Sequence, residues 1–229
     1  MVSATAGVDE EVEISLRNFA LPGRLTVPAE PHGVVVLVNE SRGSGSDARD
    51  RLVADRFLSA SLGTLRLDLI GPEEAQASAP LSVLDLDVLA VRLLVVTRWL
   101  SAQPSSLGCR VGYFGVGSGA AIALLAAAEA PAIGAVVSRA GRLEPVMSNV
   151  NRIGIPTLFV VGDARTASDQ AERACVALRG PAEVTVVPGA EDLSAKSGAS
   201  EAAVEVACVW FLRYLRSVPR RELTGGARP

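Results

Sequence analysis

Residues 113–125 read YFGVGSGAAIALL. An apolar run ends at Gly115, glycines alternate through Gly119, and a stretch rich in Ala and Leu follows. The pattern predicts a strand, a sharp turn and a helix in immediate succession, because only very small residues tolerate so tight a turn. Within Gly115-Val116-Gly117-Ser118-Gly119 the outer glycines set the register and put Gly117 at the apex. An apical nucleophile would have to be residue 117, which carries no side chain. Ser118 reaches the apex only if the turn shifts by one, with Val116 and Ala120 as its flanks, and Val116 fits such a turn poorly. Otherwise Ser118 is a helix N-terminal serine serving its own backbone.

Strand-like and helix-like segments alternate on either side of this stretch. VVVLV (34–38) is the continuous β-branched run expected of a strand buried on both faces. TLRLDLI (64–70), RVGYF (110–114), GAVVS (134–138), TLFVV (157–161) and EVTVV (183–187) read as further strands. Helices are predicted at 47–61, with Asp47 as N-cap, and at 118–129, 167–179 and 200–216. A helix at 82–102 follows from apolar residues at 84, 88, 91, 94, 95 and 99, expected to face a sheet. Residues 142–152 read as irregular or as a short helix. Residues 12–17 and 21–27 pair as a hairpin around Pro22-Gly23. Six strands separated by helices imply an α/β, doubly wound, mostly parallel sheet with an antiparallel N-terminal hairpin at one edge. One domain is expected over 11–217, between a flexible start (1–10) and a flexible tail (218–229).

Composition narrows the function classes. Hydrophobic residues make up 49% of the 229 and aromatics 4%, so the expected core is large and built from Ala, Val and Leu. The net charge of −3 comes with no basic patch and no basic amphipathic helix, which argues against nucleic acid and a membrane surface. No apolar run is long enough to span a bilayer. Cys109, Cys175 and Cys208 show no CxxC spacing and read as free thiols of a reducing compartment. The opening MVSATAGVDEEVEIS lacks the apolar run of a secretory signal, so the expected location is cytoplasmic.

The element order, together with the phrases GYFG, GAA, VVSR, PTLFVVG and VVPGA, resembles the α/β-hydrolase superfamily over nearly the whole chain. Within it, the small dienelactone-hydrolase-like bacterial members are most similar. The resemblance implies a nucleophile on a G-x-Nu-x-G elbow, an acid after the seventh strand and a histidine after the eighth. Each implied position departs from the pattern. Gly117 stands at the nucleophile. Asp192, preceded by Glu191, stands at the histidine. Arg165 stands at the acid, with Asp163 nearby but early. Asn39-Glu40 stands where relatives often have His-Gly shaping an oxyanion hole, and a carboxylate there opposes developing negative charge. The single histidine, His32, precedes VVVLV at the amino end of the sheet, roughly 20 Å from the opposite rim at strand rise. The expectation is a pseudo-hydrolase that has abandoned the Ser-His-Asp triad.

Ligands of an open parallel sheet bind at the carboxyl ends of its strands. There the sequence offers Asn39, Ser41, Arg139, Asp163 and Glu191, with the amides of Gly117 and Gly119 at a helix start. Arg139 reads either as a partner for a carboxylate or phosphate or as half of a structural ion pair. Glu40 and Asp192 form a candidate acid/base pair for isomerisation, cyclisation or dehydration; the plainer reading is two solvated carboxylates. SRGSGS (41–46) reads as an anion nest or a mobile loop. Residues 115–120 also match G-x-G-x-x-A, with Arg139 placed for a 2′-phosphate. The motif lies mid-chain and is weak alone, so no cofactor and no metal are expected. The expected partner is a small molecule in the former active-site pocket, with a protein partner or a homodimer as the further candidate.

Overall fold

The computed structural model describes residues 6–39, 45–71, 74, 86–130, 132–191 and 198–216. Its strands are β1 (Ala6–Ser15), β2 (Ala20–Pro28), β3 (Gly33–Asn39), β4 (Leu62–Asp68), β5 (Val111–Val116), β6 (Ala135–Arg139), β7 (Thr157–Val161) and β8 (Ala182–Val186). Its helices are α1 (Gly45–Ser59), α2 (Leu86–Ser101), α3 (Ser118–Glu129), α4 (Arg165–Ala177) and α5 (Gly198–Leu215). The strands form one sheet in the order β1-β2-β4-β3-β5-β6-β7-β8. β2 runs antiparallel to β1 and β4, and every other pair is parallel. The doubly wound α/β fold expected from the alternation is therefore present.

Each face of the sheet carries its own core. On one face Val36, Val38, Leu65 and Tyr113 pack with residues of α2 and α3. On the other, Val35, Leu37, Phe114 and Val137 pack with residues of α1 and α5. The alternation follows from the two-residue period of a strand, which sends neighbours to opposite faces. Phe57 of α1 meets Phe114 and Phe211 edge-on at centroid distances of 5.4 and 5.6 Å. Such pairs add about 0.5–1.5 kcal/mol each to the burial itself. Helix α3 is buried from Gly119 to Ala127. That explains its composition, since an all-round buried helix has no use for a polar stripe.

Three local expectations are corrected. The hairpin turns at Leu16–Phe19, where the Leu16 amide donates to the Phe19 carbonyl, and not at Pro22-Gly23. Pro22 lies within β2, just outside the β2–β4 ladder that begins at Gly23, so its missing N–H interrupts nothing there. Helix α2 buries Leu89, Ala90, Leu93, Val96 and Leu100, while Val88 and Val91 are exposed. Of the expected stripe, Leu94 and Trp99 do pack half-buried against the core, and residue 84 lies outside the described residues; the fully buried line runs one position over. Asp47 falls inside α1, which already begins at Gly45. No helix among the described residues is long and apolar enough to cross a membrane.

Candidate functional site

The strand–turn–helix of residues 111–129 positions the site. β5 ends at Val116 and α3 begins at Ser118, leaving Gly117 alone to reverse the chain. Gly117 has φ 60° and ψ −122°, a left-handed conformation that strains any side-chain-bearing residue. Among the described residues nothing lies within 4 Å of where its Cβ would be. Gly115 is confined instead: a Cβ there would lie 2.5 Å from the Ala120 Cα and 2.7 Å from the Gly119 carbonyl oxygen. These contacts fix the register and place Gly117, not Ser118, at the apex. The Ser118 hydroxyl oxygen is buried and has no hydrogen-bond partner among the described residues. The first amides of α3 follow directly and carry the positive end of the helix dipole.

The strand next to the elbow supplies the support. The Gly117 amide donates to the Arg139 carbonyl at 3.1 Å. Arg139 is fully buried, the largest side chain among the described residues to be so. Its Nε donates to the Ala190 carbonyl at 3.3 Å and its Nη1 to the Ser200 Oγ at 3.0 Å. One guanidinium thus joins the end of β6, the loop after β8 and the first turn of α5. This places Arg139 beneath the rim.

Beyond Arg139 the chain turns through Ala140, whose φ of 48° is left-handed for a residue with a Cβ. The turn brings the Arg142 amide to 3.4 Å from the Gly117 carbonyl, so exposed Arg142 starts its side chain beside the elbow. Arg142 also helps hold the Glu144 carboxyl below its ordinary value, after a hydrogen bond from Gln170 as the larger cause.

The loops after β7 and β8 are joined by crossed carboxylates. Asp163 Oδ2 accepts from the Gly189 amide at 3.1 Å, and Glu191 Oε1 accepts from the Ala164 amide at 3.3 Å. The Glu191 carboxylate lies over Gly162 and leaves no room for a Cβ there. Both acidic side chains are exposed, yet each serves the backbone of the opposite loop. Arg165, at the position where relatives place the acid, begins α4 and is exposed.

Of the remaining sequence candidates, Asn39 ends β3 beside Asp68, at the rim. Glu40, Ser41 and Asp192 lie outside the described residues, as do most of the 41–46 loop and the proposed acid/base pair as a whole. His32 is at the far end of the sheet, its Nε2 3.2 Å from Arg216 Nη2. The three cysteines are free. Burial pushes the thiols of Cys175 and Cys208 up to about 11 and raises that of Cys109, so all three are protonated at neutral pH and weak nucleophiles.

Sequence reasoning missed Ala140 and Arg142, whose turn announces itself by no Gly or Pro at the strained position. It also missed an anchor after β4. Arg92 of α2 donates to both Glu74 carboxylate oxygens at 2.7 Å and to the Leu69 carbonyl at 2.9 Å, and lies 4.8 Å over the Phe19 ring. Three separate stretches meet there, and no local pattern records it.

No family profile matches the chain. A dienelactone hydrolase from Anabaena variabilis is 34% identical and superposes with a TM-score of 0.84, covering 91% of this chain and 99% of that one. The esterase domain of a Rhodothermus marinus protein, 18% identical with a TM-score of 0.70, covers 91% of this chain and all of its own. At that identity it shows the fold alone. Two Mycobacterium tuberculosis proteins, provisionally named phosphoribosyl transferases, are 39% identical over 209 residues, 90% of this chain and 47% of theirs. The chain therefore spans about half the length of the curated relatives it matches.

Proposed function

The chain belongs to the dienelactone-hydrolase-like family of α/β-hydrolase proteins, and we propose that within that family it has lost the serine-hydrolase machinery and binds a small molecule over the elbow without hydrolysing it. The observation that carries this reading is the bare apex: Gly117 stands where the family places its nucleophile, at φ 60° and ψ −122°, and no described residue lies within 4 Å of where its Cβ would be. A triad lacking its nucleophile retains only the weak catalysis of oxyanion binding and positioning. The sole imidazole contacts Arg216 at the opposite end of the sheet, where it serves nothing at the rim. What persists is a cradle. The amides that open α3 receive a carbonyl or carboxylate oxygen of the ligand.

The phosphoribosyl transferase name belongs to proteins about twice as long as the stretch matched. We assign that activity to the part of those proteins that this chain does not match.

The test is incubation with a fluorophosphonate probe, alongside p-nitrophenyl acetate as substrate. Neither labelling nor turnover above the buffer rate is expected. Labelling that disappears in Ser118→Ala would establish a shifted nucleophile and end the proposal.

A further inference from the structure

The sheet has two edges, and they are finished differently. β1 carries Asp9, Glu10, Glu11 and Glu13, with a register shift near its start. Charges and bulges of this kind keep an edge strand from pairing with another chain. β8 closes the other end of the sheet and pairs with β7 alone. Its one charged residue, Glu183, accepts a hydrogen bond from Arg213 Nη1 of α5 at 3.0 Å. Val186 is 54% exposed.

The direction of each backbone group in β8 follows from the ladder. The Thr157 amide donates to the Pro181 carbonyl at 2.9 Å, and the Val187 amide donates to the Val161 carbonyl at 2.8 Å. A strand residue in a parallel pair sends its N–H and its C=O to the same side. Glu183 and Thr185 therefore bond to β7, while Ala182, Val184 and Val186 turn their N–H and C=O outward. Among the described residues no hydrogen bond reaches these outward groups. The side chains alternate as well: Ala182 and Val184 pack on the core that holds Ala171 and Ala174 of α4, and Glu183 and Thr185 lie on the α5 face.

We propose that β8 is the contact through which two copies of this chain join, antiparallel about a two-fold axis at Val184. Facing residues of an antiparallel pair exchange both backbone hydrogen bonds. With Val184 opposite itself, Ala182 falls opposite Val186 of the second copy, and every outward N–H and C=O is paired. The exposed methyl groups of Val186 are covered by that Ala182. Across from Glu183 stands the hydroxyl of Thr185 of the second copy, a donor for its carboxylate. The neighbouring registers are poorer. Centring on Glu183 sets two carboxylates directly opposite each other. Centring on Thr185 puts Ala182 opposite Pro188, which has no N–H to give. A second copy supplies the favoured match by symmetry.

The experiment is sedimentation equilibrium over a range of protein concentrations, with amide exchange read at both ends of the range. The mass is expected to rise from 23.7 kDa toward twice that value. Exchange is expected to slow in the dimer at Ala182, Val184 and Val186 and to stay unchanged at Glu183 and Thr185. Val184→Pro removes an N–H that β7 does not use, so the fold is kept and the dimer is lost. Thr185→Glu meets Glu183 twice by symmetry and is expected to weaken association about tenfold, while Thr185→Lys strengthens it. The two Thr185 variants keep the test valid if Val184→Pro fails to fold. A mass that stays at 23.7 kDa throughout, a dimer indifferent to the Thr185 variants, or equal slowing at alternate and intervening amides would overturn the proposal. So would protection of the outward amides by an added extended peptide in a chain that stays monomeric.

Discussion

At the carboxyl end of the sheet, the elbow at Gly117 is main chain, fixed by the end of a strand and the start of a buried helix. The outer edge of β8 is main chain too, held by a strand on one side only. The first region is defined by where side chains are missing, the second by where a neighbouring strand is missing. It follows that the elbow is sensitive to an added methyl group and indifferent to surface charge. The edge responds in the opposite way.

The largest expected effect is on the elbow. Gly115→Val drives a Cβ into the Ala120 backbone, 2.5 Å away, which has no flexible end to yield. A loss of about 3 kcal/mol is expected in urea unfolding, with self-association through β8 retained wherever the protein stays folded. Arg139→Met comes next. It keeps the apolar bulk but strips the partners from the Ala190 carbonyl and the Ser200 hydroxyl, at about 2 kcal/mol. An increase in amide exchange at 189–191 and 200 would show that the loss is local to that bracket; an unchanged rate there would refute it.

Ala140→Gly runs the other way. A φ of 48° strains a residue with a Cβ by about 1 kcal/mol, so the glycine variant is expected to be more stable by about that amount, by thermal melt. The smallest effect belongs to the opposite edge of the sheet, at β1, and is read by pH. The hydrogen bond from Arg24 holds the Asp9 carboxyl below its ordinary 3.8. A depressed carboxyl stabilises the fold fully above that value and loses the contribution as pH falls through its folded value. The pair is largely exposed, so the change is small. Comparison of Asp9→Asn with the parent from about pH 5 down to about pH 2 should show a flatter acid limb in the variant.

The sequence was readable where the physics is local. Runs such as VVVLV and TLFVV mark strands buried on both faces, and the alternation of element types dictates a parallel sheet. The spacing of Gly115, Gly117 and Gly119 set the elbow register, because a tight turn leaves few residue choices. Reading failed where two local solutions compete or where contacts are distant. Pro22-Gly23 is a strong turn signal that the β1–β2 ladder overrides. Helix α2 is apolar on more than one side, and only the packed sheet decides that Leu89, Leu93 and Val96 are fully buried while Val88 and Val91 are exposed. The Arg139 bracket joins residues 51 and 61 positions apart, and the Glu183–Arg213 pair joins β8 to α5. Neither leaves a trace in any short window. Glu40, Ser41 and Asp192 lie outside the described residues, so the acid/base reading gains no geometry.

The crossed bonds of Asp163 and Glu191 have a mechanical consequence. Each loop holds the other at its own amide, so neither can swing outward without dragging its neighbour. Residues 163–164 and 189–191 therefore form one yoked jaw, and a molecule pressing on either side loads the bonds to the other.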